Sequence, residues 1–229
     1  MPIYALGDLH LSLFVDKPMD IFGQTWEHHT EQIEANWRTV VNNNDTVLLP
    51  GDLSWGMTLD EAVPDLEWMA RLPGHQIMIR GNHDYWWHGI TRLRQTLATN
   101  QTAIQNDAVV AEGYAICGTR GWLLPSHPQF DVNDEPIFRR ELERLRLSLT
   151  AASKLDMPII AMLHYPPCSS NNHQTEFTEI LESYNVKVCI YGHLHGPTHR
   201  FAFEGEQNGV TYRLVSADFV NFSPIRLNP

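Results

Sequence analysis

With 229 residues, 43% of them hydrophobic, the chain can bury a substantial core, and residues 1–229 are expected to form a single domain. The formal net charge of -11 argues against a nucleic-acid partner, since binding phosphate backbones needs many Lys and Arg contacts, but leaves room for a small anionic substrate. Met1-Pro2-Ile3-Tyr4 runs straight into a strand without signal-peptide features, no membrane-length apolar run follows, and Cys117, Cys168 and Cys189 lie far apart, so the expected location is the cytoplasm.

Ile3 to Leu6 reads as a short apolar strand, ended by Gly7-Asp8-Leu9-His10 with a carboxylate and an imidazole two residues apart. In an extended segment such residues point the same way and can reach one ion. From Thr25 to Val41 the apolar positions Trp26, Ile33, Trp37, Val40 and Val41 recur at helical spacing, which predicts a helix packed on a sheet. Thr46 to Leu49 is a second strand, ending in Pro50-Gly51-Asp52. Thr58 and Glu61 match a capping box, and Leu66, Met69 and Ala70 continue a helical face that Pro64 is expected to bend or restart. Gln76 to Ile79 is a third strand, followed by Arg80 and the turn Gly81-Asn82-His83-Asp84, and Ile90 to Leu97 is a further helix.

Ala108 to Glu112 and Tyr114 to Gly118 read as adjacent strands joined at Gly113. Phe138, Leu142, Leu145, Leu149 and Ala152 define a helix, with Pro136 suited to its first turn. Pro158 to Leu163 is a strand that delivers His164. A short helix carries Phe177, Ile180, Leu181 and Tyr184, and Val186 to Tyr191 is a strand that delivers Gly192-His193-Leu194-His195-Gly196. Arg200 to Phe203 and Val210 to Val215 flank a turn, which predicts a closing hairpin. Helices alternate with strands early and strands cluster late. The pattern predicts an α/β fold, mixed with α+β character, of two packed mixed β-sheets flanked by helices; a single-sheet α/β layout is the alternative.

The strand ends thus present Asp8, His10, Asp52, Asn82, His83, Asp84, His164, His193 and His195. These are oxygen and nitrogen donors with no thiolate, which suits Mn, Fe or Zn better than Mg or Ca. They exceed what one tetrahedral ion takes, so two divalent or trivalent transition-metal ions are expected. Two ions roughly 3.5 to 4 Å apart need a shared ligand, and the Asp52 carboxylate is the candidate bridge. Such a pair suits phosphoester hydrolysis, in which a metal-bound hydroxide attacks phosphorus.

The ordered set G-D-x-H, G-D, G-N-H-D, H and G-H-x-H, running from Gly7 to Gly196, resembles the calcineurin-like metallophosphoesterase superfamily. The resemblance implies a four-layer αββα sandwich, with Asp8, His10 and His195 on one metal, Asp52 bridging, and Asn82, His164 and His193 on the other. It implies that His83 protonates the leaving oxygen or steadies the transition state, and that Asp84 orients its ring. Phosphoprotein phosphatases of this superfamily carry G-D-x-x-D-R-G at the second motif, whereas Gly51-Asp52 continues here as Leu53-Ser54-Trp55-Gly56, which argues against a protein phosphatase. The expected activity is that of a phosphomonoesterase or phosphodiesterase acting on a small phosphate ester or nucleotide. A non-catalytic metal-binding scaffold and a nuclease are the rival readings.

Other residues carry two readings each. Trp55, Tyr85, Trp86, Trp87 and Trp122 form either an aromatic wall for substrate or core packing. Arg80 and Arg120 either hold phosphate or make structural ion pairs. Asn171, Asn172 and His173 are candidates for the substrate entrance, while His28, His29, His75, His88, His127 and His199 are expected not to be ligands.

Overall fold

The computed structural model describes residues 1–228. Along the chain run β1 (Ile3–Ala5), α1 (His29–Val40), β2 (Thr46–Leu49), α2 (Leu59–Ala70), β3 (His75–Met78), α3 (Ile90–Thr96) and β4 (Gln101–Ala103). There follow β5 (Ala108–Ala111), β6 (Tyr114–Thr119), α4 (Asp134–Ser153), β7 (Ile159–Leu163), α5 (Glu176–Ser183), β8 (Val188–Tyr191), β9 (Gly205–Gln207), β10 (Val210–Leu214) and β11 (Ile225–Leu227). The strands form two mixed sheets, ordered β11-β1-β2-β3-β4 and β5-β6-β7-β8-β10-β9. Their central strands are parallel, and β11, β5 and β9 are antiparallel edge strands.

The central strands are apolar without alternation because both faces of each sheet are covered. Ile159, Ala161 and Leu163 of β7 pack toward α4 and α5, while Ile160 and Met162 face the other sheet. In β2, Val47 and Leu49 pack toward the first set of helices and Leu48 joins the seam between the sheets. Ile33 and Trp37 of α1, Leu66 and Met69 of α2 and Leu93 of α3 cover the first sheet. Phe138, Leu142, Leu145 and Leu149 of α4 with Phe177, Ile180 and Leu181 of α5 cover the second. The result is the expected helix-sheet-sheet-helix layering.

Several element boundaries differ from the sequence reading. The helix expected from Thr25 begins at His29, because a 3-10 turn (Gln24–Trp26) and a left-handed His28 (φ 55°) precede it. Trp26 therefore leaves the helix and turns toward the strand ends. Pro64 sits inside an unbroken α2, whose capping box at Thr58 and Glu61 is formed as expected. Arg200 belongs to a 3-10 helix (Gly196–Phe201), and the closing hairpin pairs Gly205–Gln207 with Val210–Leu214 instead. The three-residue strands β4 and β11 have no periodic signature, and the sequence reading omits them.

The two sheets meet at their strand ends. Gly7 N donates to Val215 O at 2.7 Å, and Ala217 N donates to Gly7 O at 3.1 Å. This seam joins the loop after β1 to the loop after β10. It gathers the loops that follow β2, β3, β7 and β8 around it.

Candidate metal centre

All seven candidate ligands fall into one cluster. Four of them, Asp8, His10, Asp52 and His193, adopt left-handed backbone conformations with φ of 57°, 47°, 52° and 74°. Such residues cost of order 1–3 kcal/mol each and persist only where the surroundings over-determine them. Here the glycines of the motifs provide the space. A Cβ on Gly81 would overlap Asp52 Oδ1, and a Cβ on Gly192 would overlap Asp8 Oδ2. Each glycine thus lets a carboxylate cross the neighbouring loop.

One half of the centre holds His10 and His195, whose Nε2 atoms lie 3.3 Å apart. His195 Nε2 is 3.6 Å from Asp8 Oδ1. The other half holds Asn82, His164 and His193. Asn82 Oδ1 lies 2.7 Å from His164 Nε2 and 2.9 Å from His193 Nδ1, and those nitrogens are 3.3 Å apart. Asp52 Oδ2 stands between the halves, 3.8 Å from His10 Nε2 and 3.4 Å from His164 Nε2. Asp8 also approaches both, with His164 Nδ1 3.8 Å from its Oδ1. Ligand-forming groups accordingly arise at Asp8, His10 and His195 and at Asp8, Asp52 and His164.

Hydrogen bonds set the imidazole tautomers. His164 Nδ1 is 3.1 Å from Pro50 O, which only accepts, so the proton is on Nδ1 and the Nε2 lone pair faces the cluster. His195 Nδ1 likewise donates to Asp218 Oδ1 at 2.8 Å. Among the described residues no Lys or Arg lies within ion-pair distance of Asp8 or Asp52, although both are fully or almost fully buried. Converging lone pairs and buried carboxylates without a cationic side chain form a donor set that metal ions fit.

The electrostatics agree with that fit. Burial, with Asp84 and Asp8 adding to it, pushes the Asp52 carboxyl well above the usual carboxylate range. Burial and the neighbouring histidines hold His10 and His164 well below an ordinary imidazole. Burial pulls His193 down to about 4 against the attraction of Asp8. These rings are neutral near pH 7, as ligands must be. Burial also works against charge on His195, but hydrogen bonds to Asp218 and Asp8 outweigh it and push its pKa up to about 10. A cation and that proton compete for the same lone pair.

His83 lines the cavity beside the cluster. Its backbone N–H donates to Asp52 Oδ1 at 2.7 Å, and its ring lies 4.4 Å from that of Trp55. Burial lowers its pKa, with Asp8 opposing. Asp84 departs from expectation. Instead of orienting the His83 ring, its buried carboxylate accepts from Asp52 N, Leu53 N, Ser54 N, Gly81 N and Trp86 Nε1 at 2.7 to 3.3 Å. It is a positioning residue that clamps the second loop to the third.

The cavity of about 530 Å³ over the cluster is walled by Trp55, Trp26, Met19 and Phe22. Trp55 stacks on His10 at 5.0 Å, and Trp26 meets His195 edge-on at 5.4 Å. Trp86 and Trp87 are buried in the core, Trp122 packs on Tyr165, and Tyr85 is exposed. His173 packs on Phe203 at 4.0 Å and, with Asn171 and Asn172, stays outside the cavity lining. His29 lies outside the cavity lining, with its ring nitrogens 3.2 Å from Trp26 O and 3.3 Å from His10 O. The sequence reading misses Asp218 and Trp26. Asp218 follows β10 as Asp52 follows β2, and that position was its available signal.

A model of the calcineurin-like phosphoesterase family matches residues 1–197. The chain belongs to that family. Every motif residue of this family member falls within the match, whereas Asp218 lies beyond it. The Gene 66 protein of Mycobacterium phage L5 is 38% identical over 58 residues, spanning 25% of this chain and 28% of that protein. A crystal structure of phosphopantetheinyl hydrolase from Mycobacterium tuberculosis superposes with a TM-score of 0.59 at 15% identity, covering 100% of this chain and 96% of that one. A protein of unknown function from Aquifex aeolicus gives a TM-score of 0.55 at 16% identity, covering 98% and 95% of the two chains. At these identities the structural likeness concerns the fold alone. Among the described residues no helix is long and apolar enough to cross a membrane.

Proposed function

We propose that this phosphoesterase is a two-metal phosphoric ester hydrolase acting on a small phosphorylated substrate, as a phosphomonoesterase or phosphodiesterase. The observation that carries this reading is Asp52 Oδ2, which lies within 4 Å of a histidine nitrogen in each half of the cluster. Asp8, His10 and His195 would hold one ion, Asn82, His164 and His193 the other, and Asp52 would be shared. Mn, Fe and Zn suit this donor set. When bound, the ions supply Lewis acidity toward phosphoryl oxygens and acidify a coordinated water.

The chain's own groups do the rest. His83, tethered to Asp52 through its backbone, presents its ring to the cavity and donates a proton or a hydrogen bond to the leaving oxygen. Trp26 and Trp55 exclude water from the two flanks of the cluster and receive the apolar part of the substrate. Asp84 and Asp218 hold the second loop and the His195 ring in place. The buried free thiols Cys117, Cys168 and Cys189 fit a cytoplasmic setting.

The test is a screen of phosphomonoesters, diesters and nucleotides against the purified protein supplemented with Mn, Fe or Zn. Hydrolysis of one class that is lost in Asp52→Asn supports the reading. No hydrolysis of any substrate with any metal would overturn it and favour a scaffold.

A further inference from the structure

A second pocket, of about 110 Å³, shares no lining residue with the metal-centre cavity. Three guanidinium groups border it, from Arg80 after β3, Arg120 after β6 and Arg144 on α4. One carboxylate, the fully buried Glu141, faces them. Its Oε1 accepts from Arg144 at 2.7 Å and from Arg120 at 3.4 Å, and its Oε2 accepts the Thr119 hydroxyl at 2.7 Å.

Both Glu141 oxygens are therefore engaged, yet donors remain. Arg120 Nε is buried without a hydrogen-bond partner. The Arg120 guanidinium lies over the Trp122 ring, 4.4 Å from its centre. Arg80 donates through Nε to the Asp84 carbonyl at 3.2 Å, and no carboxylate among the described residues lies within ion-pair distance of it. One negative charge thus meets three positive ones, in a chain whose formal net charge is -11. Burial lowers the Arg120 pKa against the pull of Glu141, and Arg80 lowers it further, so an added anion would favour the charged guanidinium.

We propose that this pocket binds a tetrahedral oxyanion of the phosphate class. Guanidinium forks match phosphate oxygens, and forks arriving from three elements surround a tetrahedral group better than a planar one. The pocket, of about 110 Å³, has room for a group the size of phosphate. An aromatic path leads to the metal centre, since Tyr165 lies 5.2 Å from the Trp122 ring and 4.1 Å from the His193 ring. Released phosphate and the second phosphate of a bisphosphorylated substrate share this chemistry.

The test titrates inorganic phosphate into the chelator-treated full-length protein, against chloride at matched ionic strength, with calorimetry and thermal melting as readouts. Phosphate should bind and raise Tm, and Arg80→Gln and Arg144→Gln should weaken binding at least tenfold. Arg226→Gln, at the exposed position of β11, should not. Equal responses to phosphate and chloride, or unchanged affinity in both pocket variants, would overturn the proposal. Should chelation unfold the chain, the metal-loaded protein is titrated, and the affinity of a phosphate site should fall at least tenfold in the variants; unchanged affinities overturn the proposal. With the proposal standing, a raised KM of Arg80→Gln for a bisphosphate but not for a monophosphate identifies the substrate's second phosphate, and unchanged KM values identify free phosphate. Phosphate binding without metal and hydrolysis with metal fail separately, so this pocket does not depend on the proposed activity.

Discussion

Asp218 Oδ1 lies 2.8 Å from His195 Nδ1, and this bond leaves the other ring nitrogen facing His10 Nε2 at 3.3 Å. Asp218 Oδ2 accepts from Gly196 N at 2.9 Å, so one carboxylate fixes both the ring and the loop that carries it. Carboxylates behind metal-binding histidines set ring orientation and basicity, and their removal commonly lowers metal affinity about 10–100-fold. Asp218→Ala is expected to weaken Mn binding by that factor in calorimetric titrations, while His173→Ala, outside the cavity, leaves it unchanged.

Asp52 and His83 should separate by what they lose. Asp52→Asn is expected to lower the bound metal per chain and abolish aryl phosphate hydrolysis, because the carboxylate proposed as the bridge is gone. His83→Ala should keep its metal and lose about 10²–10⁴-fold in kcat, the usual range for a positioned proton donor. Metal analysis alongside kinetics distinguishes the two, and loss of metal from His83→Ala would make it a ligand instead.

Asp84→Ala tests the clamp. The substitution leaves four backbone N–H groups and the Trp86 indole without their acceptor. A buried unsatisfied donor costs about 1–3 kcal/mol, so a loss of at least about 3 kcal/mol is expected in denaturant unfolding. Normal stability with a depressed kcat would instead indicate a role through the His83 ring.

The metal-free protein should lose stability as pH rises above about 6.5, the ordinary imidazole value. His195 is raised to about 10 in the fold, so the folded chain binds a proton that the unfolded chain releases. Its contribution is complete below the unfolded value and disappears as pH passes through about 10. The slope from this group is at most about 1.4 kcal/mol per pH unit. Buried thiols add to the decline only at the upper end of the window, because burial pushes Cys117 and Cys189 up. Thermal melts between pH 6.5 and 8.5 should flatten in His195→Gln.

The legible part of the molecule is what neighbouring residues decide. Gly81-Asn82-His83-Asp84 and Gly192-His193-Leu194-His195 announce themselves because a strand end, a small residue and a polar side chain are consecutive. The Thr58 and Glu61 capping box is equally local, and it forms as read. Asp84 resisted the same treatment. Its partners Asp52, Leu53 and Ser54 are about thirty residues away and reach it only because β2 lies beside β3. Trp26 reads as helical by spacing, but the left-handed turn at His28 carries it out of the helix and against His195.

By itself the sequence determined the alternation of buried strands and helices, the residues at the strand ends and their oxygen and nitrogen chemistry, because hydrophobic periodicity and motif spacing are properties of contiguous residues. Tertiary structure alone decided that Asp218 supports His195, that Asp84 serves the backbone around Asp52, and that Arg80, Arg120 and Arg144 share a pocket. These pairings join residues distant along the chain. They arise from strand order and sheet packing, which place loop ends next to one another without leaving a mark on either loop.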